Sequence, residues 1–139
     1  MDKEIRREII LDNYQNPFHK YDSDETYKKY RTNNESCIDD LNIYLKVEGN
    51  KVVDASFNGE ACAISTSATS IMLRNIVGKT INEIKDIVDN YKKMITEEEY
   101  NEEILKDLNV YNEIYLQPNR KTCALLPIKA LEKIIEENK

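Results

Sequence analysis

The sequence lacks the features that would place the protein on a nucleic acid or in a membrane. Acidic residues outnumber basic ones by 26 to 20, so the formal net charge is -6. This balance argues against nucleic acid as a partner, because phosphate binding needs a concentrated basic surface. No apolar run approaches the roughly 20 residues that span a bilayer. The N-terminal MDKEIRREII has no secretory apolar segment, which predicts a cytoplasmic protein.

Cysteine and histidine are also scarce. The chain has three cysteines and one histidine among 139 residues, and no two cysteines form a CxxC pair. In a cytoplasmic protein an odd set of three is not expected to form structural disulfides. Three roles therefore remain open for the cysteines: they are buried as small hydrophobic residues, they act as reactive thiols, or they bind a metal. His19 follows Asn16-Pro17 in a polar stretch, and we interpret it as a solvated loop residue rather than a ligand.

Hydrophobic periodicity predicts about five helices in one domain that covers residues 1–139. The N-terminal helix ends at Asn16-Pro17, and a Ser/Thr cluster is expected to cap the second, which Gly78 ends. Thr80 caps the third, and Thr96 begins a capping-box pattern for an acidic fourth helix. Residues 18–36 and 109–122 are interpreted as loops. The helices are predicted at 2–15, about 64–77, 80–94, 96–108 and about 126–138.

Two alternating segments around Gly49-Asn50 predict a β-hairpin. A two-residue loop would set Leu45 against Asp54 and split the apolar face, so a three-residue loop at 48–50 is favoured. That register pairs Leu45 with Val53, Ile43 with Ala55 and Leu41 with Phe57. The expected fold is α+β, with a small antiparallel sheet that includes this hairpin and is covered on one face by helices.

The predicted hairpin gathers chemistry-bearing side chains at its open end. Cys37 and Asp39 share a face of the extended chain, and the register sets Asp39 opposite Gly59, three residues before Cys62. Cys62 and Cys123 each precede a predicted helix N-terminus, where the helix dipole lowers a thiol pKa. Arg120 and Lys121 add positive charge beside Cys123. Three thiolates and one carboxylate would suit zinc or an iron–sulfur cluster, and three buried cysteines are the alternative.

The chain resembles the U-type iron–sulfur cluster assembly proteins, which include IscU, the N-terminal domain of NifU, and SufU. The resemblance covers nearly the whole chain, from an N-terminal helix that ends in Tyr-x-x-Asn-Pro to three ordered cysteine motifs. The motifs are Cys37-Ile38-Asp39, Phe57-x-Gly59-x-x-Cys62-Ala63-Ile64-Ser65 and Arg120-x-x-Cys123-Ala124-x-Leu126-Pro127. The Arg-x-x-Cys form, with Thr122 where IscU-type proteins place histidine, is most similar to SufU.

The resemblance implies a sheet of about three strands, the third at a position that the sequence does not assign. It also implies a function for the gathered residues. In SufU-like proteins zinc is held by three cysteines and the aspartate, here Cys37, Asp39, Cys62 and Cys123. It implies that Cys37 accepts persulfide sulfur from a SufS-like cysteine desulfurase and that the sulfur passes to a downstream scaffold or apo iron–sulfur proteins. Arg120 is a candidate modulator of thiolate charge or docking. Such a protein is either a zinc-dependent sulfurtransferase or a non-enzymatic carrier.

Two alternatives to zinc-bound sulfur transfer stay open. One is a scaffold on which Cys37, Cys62 and Cys123 hold a transient [2Fe–2S] cluster, and the other is a zinc-stabilised interaction module. The family glycine between cysteine and aspartate is Ile38 here. Because isoleucine is stiffer than glycine, Ile38 is expected to affect how readily Cys37 leaves a bound metal.

Overall fold

The computed structural model describes residues 1–34 and 38–138. Within them a three-stranded antiparallel sheet of order β1-β2-β3 carries helices on one face, which confirms the predicted α+β fold. In chain order the elements are α1 (Lys3–Gln15), β1 (Lys28–Asn33), β2 (Asp40–Glu48), β3 (Lys51–Glu60), α2 (Ala63–Ile76), α3 (Ile81–Ile95), α4 (Glu102–Leu105), 3₁₀ helices at Lys106–Tyr111 and Ile114–Leu116, α5 (Pro118–Ala124) and α6 (Leu126–Glu137). No helix of these described ranges is long and apolar enough to cross a membrane.

Strand β1 lies inside the stretch that the sequence predicted to be a loop. Its residues KKYRTN alternate between exposed and buried positions, and only Tyr30 and Thr32 are buried. The Tyr30 hydroxyl donates to Glu137, and Thr32 Oγ1 donates to the carbonyl of Leu126 at 2.8 Å. Charged residues are typical of the exposed positions on an edge strand, and they hide the short apolar signal here.

The hairpin is present, but the predicted register is wrong by two residues. Gly49 and Asn50 make a two-residue turn, so that Glu48 pairs with Lys51. A β-bulge follows, because Lys46 pairs with Asp54 and Val47 pairs with Val52, which leaves Val53 as the extra residue. The observed pairs beyond the bulge are Leu45 with Ala55, Ile43 with Phe57 and Leu41 with Gly59.

The inward face of the sheet forms the core with the helices. Leu41, Ile43, Leu45, Ala55 and Phe57 are completely buried, and α2, α3 and α6 supply most of the opposing apolar side chains. As predicted, α3 begins after Thr80, whose side chain forms a reciprocal capping box with Glu83. Of the apolar residues that alternate along β2, Leu41, Ile43 and Leu45 are buried, whereas Val47 is only partly so.

The segment after α3 departs from the predicted helix at 96–108. Thr96 ends α3 instead of starting a helix, and Glu97 has a positive φ of 63° that a helix cannot accommodate. A single α-helical turn covers Glu102–Leu105, and after a positive φ of 49° at Lys106 the chain forms a 3₁₀ helix to Tyr111. Leu105, Leu108 and Tyr111 are buried, and their spacing of three matches the 3₁₀ period.

His19 lies in a turn, as predicted, but its side chain is partly buried and hydrogen-bonded rather than fully solvated. Its backbone carbonyl accepts a hydrogen bond from Phe57 N–H, and its Nδ1 lies 2.9 Å from the Ala55 carbonyl oxygen. The ring stacks on Phe18 with centroids 3.8 Å apart. These contacts dock the chain after α1 along β3, because β3 still has an open edge there for the chain to pair with.

Candidate metal centre

Cys62 ends the β3–α2 connection as the N-cap of α2. Its Sγ accepts a hydrogen bond from the Ser65 backbone N–H at 3.4 Å, so a cysteine fills the role that the Ser/Thr cluster was expected to play. The serines and threonines lie within the helix instead, and Ser65 itself is completely buried. The helix N-terminus therefore faces the Cys62 sulfur directly.

Asp39 lies just before β2 and is only 2% exposed. The observed register pairs Asp40 with Glu60, which brings Asp39 level with the residues that lead into Cys62. Its Oδ1 accepts from the Cys62 backbone N–H at 2.7 Å, and its Oδ2 accepts from Ser65 Oγ at 2.5 Å. The corrected register thus brings the carboxylate and Cys62 closer than the predicted one would.

Hydrogen bonding outweighs burial at Asp39. Burial by itself raises the pKa of the Asp39 carboxyl, but the hydrogen bonds from Ser65, from Cys62 N–H and from the two thiols hold that pKa below its usual value. The carboxylate is therefore ionised at neutral pH. An ionised, buried carboxylate is a ready ligand for a hard or borderline metal ion.

Cys123 lies in the last turn of α5, a helix that begins inside the predicted loop at 109–122. Pro118 occupies the first turn of that helix, a position it favours. Burial, together with the nearby Cys62, raises the pKa of the Cys123 thiol to about 12. The expected lowering is therefore wrong for this residue, because its own helix presents the negative end of the dipole and burial disfavours the thiolate.

Three of the four predicted ligands meet in the described structure. Asp39, Cys62 and Cys123 each offer a ligand atom, and these atoms all lie within 4.8 Å of one another. Around a tetrahedral zinc ion, ligand atoms are about 3.7 Å apart, so a contraction of about 1 Å would complete the set. Two sulfurs and a carboxylate oxygen are a donor set that zinc accepts, and binding would displace the Cys123 proton.

The other two predicted site residues are not tested by this geometry. Cys37, the predicted fourth ligand, lies outside the described residues. Arg120 is exposed on α5, three residues before Cys123, and lines a cavity on the outside of the molecule. Its part in the site stays a prediction.

Ser65 and Asn34 are polar partners of the site that the sequence reasoning missed. Ser65 Oγ lies within 3.4 Å of Cys62 Sγ, Asp39 Oδ2 and the Cys123 carbonyl oxygen, so one hydroxyl touches all three donor residues. Asn34 Nδ2 donates to Cys123 Sγ at 3.8 Å, and its backbone N–H donates to the Asp39 carbonyl at 3.0 Å. The sequence did hold a signal for Ser65. It follows Cys62 by three residues, which is the spacing between the two partners of a helix capping box.

Replacing Ser65 with alanine is expected to weaken zinc affinity by roughly tenfold, because groups that orient ligands contribute tenfold or more. Ser67→Ala is the matched control: its buried hydroxyl meets Tyr111 and the Ile64 carbonyl rather than a donor residue. Chelator competition gives the affinity, and the visible spectrum of the cobalt form reports the ligand geometry. Equal affinities and spectra for the two variants would remove Ser65 from the site.

Comparison with known proteins identifies the family. Residues 5–137 match the family described as NifU-like N terminal domain. The iron-sulfur cluster assembly scaffold protein IscU of Thermotoga maritima is 36% identical over 104 residues, which cover 75% of this chain and 73% of that protein. The zinc-dependent sulfurtransferase SufU of Bacillus subtilis is 34% identical over 130 residues, covering 93% and 88%.

A solved structure agrees with these sequence matches. The crystal structure of FiSufU from Fervidobacterium islandicum AW-1 superposes with a TM-score of 0.79 at 31% identity, over 90% of this chain and 92% of that one. The family match over residues 5–137 contains the sheet, α2 and α5, which together position Asp39, Cys62 and Cys123. The chain therefore belongs to the NifU-like N-terminal domain family.

Proposed function

We propose that this protein takes part in iron–sulfur cluster assembly as a zinc-bound acceptor of sulfur from a cysteine desulfurase. Its ligands would be Cys37, Asp39, Cys62 and Cys123, and the accepted sulfur would pass on for cluster biogenesis. The observation that carries the proposal is the convergence of Asp39, Cys62 and Cys123 within 4.8 Å. These residues come from three separate parts of the chain, so sequence proximity does not account for their meeting.

Zinc is favoured over other metals by the donor set. Two thiolates and an ionised carboxylate suit a borderline ion, and Cys37 would add a third sulfur. Thr122, the residue before Cys123, is exposed and offers no imidazole. The Bacillus subtilis relative is named a zinc-dependent sulfurtransferase, and it matches 93% of this chain. When bound, zinc would keep the thiolates deprotonated and protected from oxidation.

The sulfur-transfer step needs only thiol–disulfide chemistry. The Cys37 thiolate attacks the terminal sulfur of a persulfide on the desulfurase cysteine, and a new S–S bond forms at Cys37. The original S–S bond breaks, and its electron pair leaves with the desulfurase thiolate. No net oxidant is required, because the persulfide already carries sulfur at the needed oxidation level.

The Asp39 carboxylate is suited to leaving a bound metal and binding it again during such a step. Both of its carboxylate oxygens have protein donors, Cys62 N–H and Ser65 Oγ. A carboxylate that moved off the metal would therefore still be satisfied within the protein, and the cost of leaving is reduced.

A cluster scaffold is the second candidate function. The Thermotoga maritima relative is named an iron-sulfur cluster assembly scaffold protein and is 36% identical over the matched residues. A carboxylate is a weaker partner for an iron–sulfur cluster than a fourth thiolate, which would suit transient binding. A third candidate, a zinc-stabilised interaction module, would need the metal for folding alone.

One anaerobic preparation separates the three candidates. We expect about one zinc per chain, little iron, and faster sulfide release when the protein is added to a cysteine desulfurase with cysteine. A reconstituted cluster that moves to apo-ferredoxin would instead support the scaffold. Zinc with neither activity would leave the interaction module, and a protein that binds no metal would end all three.

A further inference from the structure

The corner between α5 and α6 carries Cys123. Helix α5 ends at Ala124 and α6 begins at Leu126, so Leu125 is the single residue between them. Cys123 belongs to the last turn before this corner and is only 7% exposed. The distances from its sulfur to the other candidate ligands therefore depend on how firmly the corner is held.

The sequence at this corner leaves the Ala124 carbonyl short of backbone donors. In a continuous α-helix or a 3₁₀ turn, this oxygen would accept from the N–H of residue 128 or of residue 127. Pro127 has no N–H, and the Ile128 N–H donates to the Leu125 carbonyl at 3.0 Å. Because Ala124 is completely buried and a buried carbonyl without a donor is costly, the corner needs a donor from elsewhere in the fold.

Tyr91 supplies that donor. It lies on α3, its side chain is completely buried, and its hydroxyl donates to the Ala124 carbonyl at 2.7 Å. A carbonyl oxygen can only accept, so the tyrosine is the donor of this bond. The Tyr91 ring packs edge-on against Tyr111, with the ring centroids 6.5 Å apart and the planes at 86°. This packing fixes the direction in which the hydroxyl points.

Side-chain hydroxyls from two other elements hold the same corner. Ser65 Oγ, on α2, donates to the Cys123 carbonyl at 3.2 Å. Thr32 Oγ1, on β1, donates to the Leu126 carbonyl at 2.8 Å. Together with Tyr91 on α3, these buried residues bind three carbonyls of the segment 123–126 from three directions. Such contacts behind a ligand are the kind that fix its orientation toward a metal.

We propose that Tyr91 is a positioning residue of the candidate metal centre, and that its hydroxyl holds Cys123 Sγ in reach of the other ligands by fixing the α5–α6 corner. The proposal rests on the proposed function, because it takes zinc to be the metal. Pro127 and Tyr91 act as a pair, since the proline removes a backbone donor and the tyrosine replaces it. A loosened corner would move Cys123 away from the arrangement in which the three ligand atoms lie within 4.8 Å of one another.

Replacing Tyr91 with phenylalanine keeps the ring and removes only the hydroxyl. Tyr91→Phe is expected to weaken zinc affinity roughly tenfold in chelator competition and to change the visible spectrum of the cobalt form, which reports ligand geometry. Tyr111→Phe is the matched control: Tyr111 is 1% exposed, and its hydroxyl meets Ser67 rather than the corner. The control should keep the wild-type affinity and spectrum, and urea unfolding compares the stabilities of the two variants.

A second substitution tests the route through the Ala124 carbonyl. Pro127→Ala supplies an N–H three residues after Ala124, the spacing at which the Ile128 N–H already reaches Leu125. Combined with Tyr91→Phe it is expected to restore most of the zinc affinity, whereas Pro127→Ala alone should change the affinity little. A double variant that binds zinc no better than Tyr91→Phe would show that the hydroxyl does not act through this carbonyl, and the proposal would be wrong.

Hydrogen exchange in the metal-free protein tests the corner without zinc. The Leu125 and Ile128 amides, whose hydrogen bonds form the corner, are expected to exchange several-fold faster in Tyr91→Phe than in Tyr111→Phe.

The outcomes separate this proposal from the proposed function. If the wild-type protein binds zinc and Tyr91→Phe matches it in affinity and spectrum, the positioning proposal is wrong and the proposed function stands. If Tyr91→Phe and Tyr111→Phe weaken zinc binding equally, the loss comes from the core in general and the positioning proposal is again overturned. If the wild-type protein binds no zinc, the proposed function is wrong and hydrogen exchange decides: faster exchange in Tyr91→Phe alone supports its hold on the corner, and equal exchange in the two variants overturns it.

Discussion

Replacing Cys37 with alanine is expected to abolish sulfur acceptance from a cysteine desulfurase, a loss of at least 100-fold in transferred sulfur. The reason is chemical: the acceptor thiolate forms the new S–S bond, and no other side chain at that position can do so. Labelled sulfur from cysteine, followed onto the protein and into sulfide release, measures the effect. Acceptance by the alanine variant at the wild-type level would show that Cys37 is not the acceptor.

Asp39→Ala is the informative comparison for the Cys37 variant. It keeps every thiol but removes the buried carboxylate that accepts from Cys62 N–H and Ser65 Oγ. We expect weaker zinc binding with the hairpin intact by circular dichroism, since core pairs such as Leu45 with Ala55 do not involve Asp39. Unchanged metal content in this variant would remove Asp39 from the ligand set.

The sequence predicted the hairpin but not its register, for a reason that the bulge makes plain. Without a bulge, a two-residue turn sets Leu45 against Asp54, and that conflict favoured a longer loop. The extra residue, Val53, resolves the conflict within the strand. Val52 is completely buried and Val53 partly so; because both are apolar, the hydrophobic pattern contains no mark of where a bulge lies.

The meeting of Asp39 with Cys62 was predictable from the hairpin, whereas the protonation of Cys123 was not. Cys62 precedes a helix in the structure as it did in the prediction, because the apolar repeat of α2 begins just after it. Cys123 instead closes a short helix whose sequence, PNRKTCA, carries almost no apolar periodicity. Its burial comes from long-range packing, and burial is what raises the pKa of its thiol. Local pattern therefore predicts that Asp39 and Cys62 meet, whereas tertiary contacts bring in Cys123 and set the pKa of its thiol.

Gly59→Ala is expected to destabilise the protein by about 4 kcal/mol and to disturb the metal centre with it. Gly59 has a φ of 130°, which side chains rarely adopt, and a Cβ there would lie 2.2 Å from the Asp40 carbonyl oxygen. That oxygen belongs to backbone, so relief requires β2 to move away from β3. Since Asp39 immediately precedes Asp40, the movement would shift the carboxylate from Cys62 and Ser65. Urea unfolding and zinc stoichiometry measure the two effects.

Gly49→Ala separates a positive φ from a steric collision. Gly49 also has a positive φ, 63°, but nothing lies within 4 Å of the position where its Cβ would be. We expect this variant to lose only about 1 kcal/mol, the cost of the left-handed conformation, and to bind zinc as the wild type does. Equal losses of stability in the two variants, with zinc retained in both, would mean that close backbone packing at Gly59 does not hold Asp39 in the site. A larger loss at Gly59, accompanied by loss of zinc, would tie the packing of the hairpin end directly to metal binding.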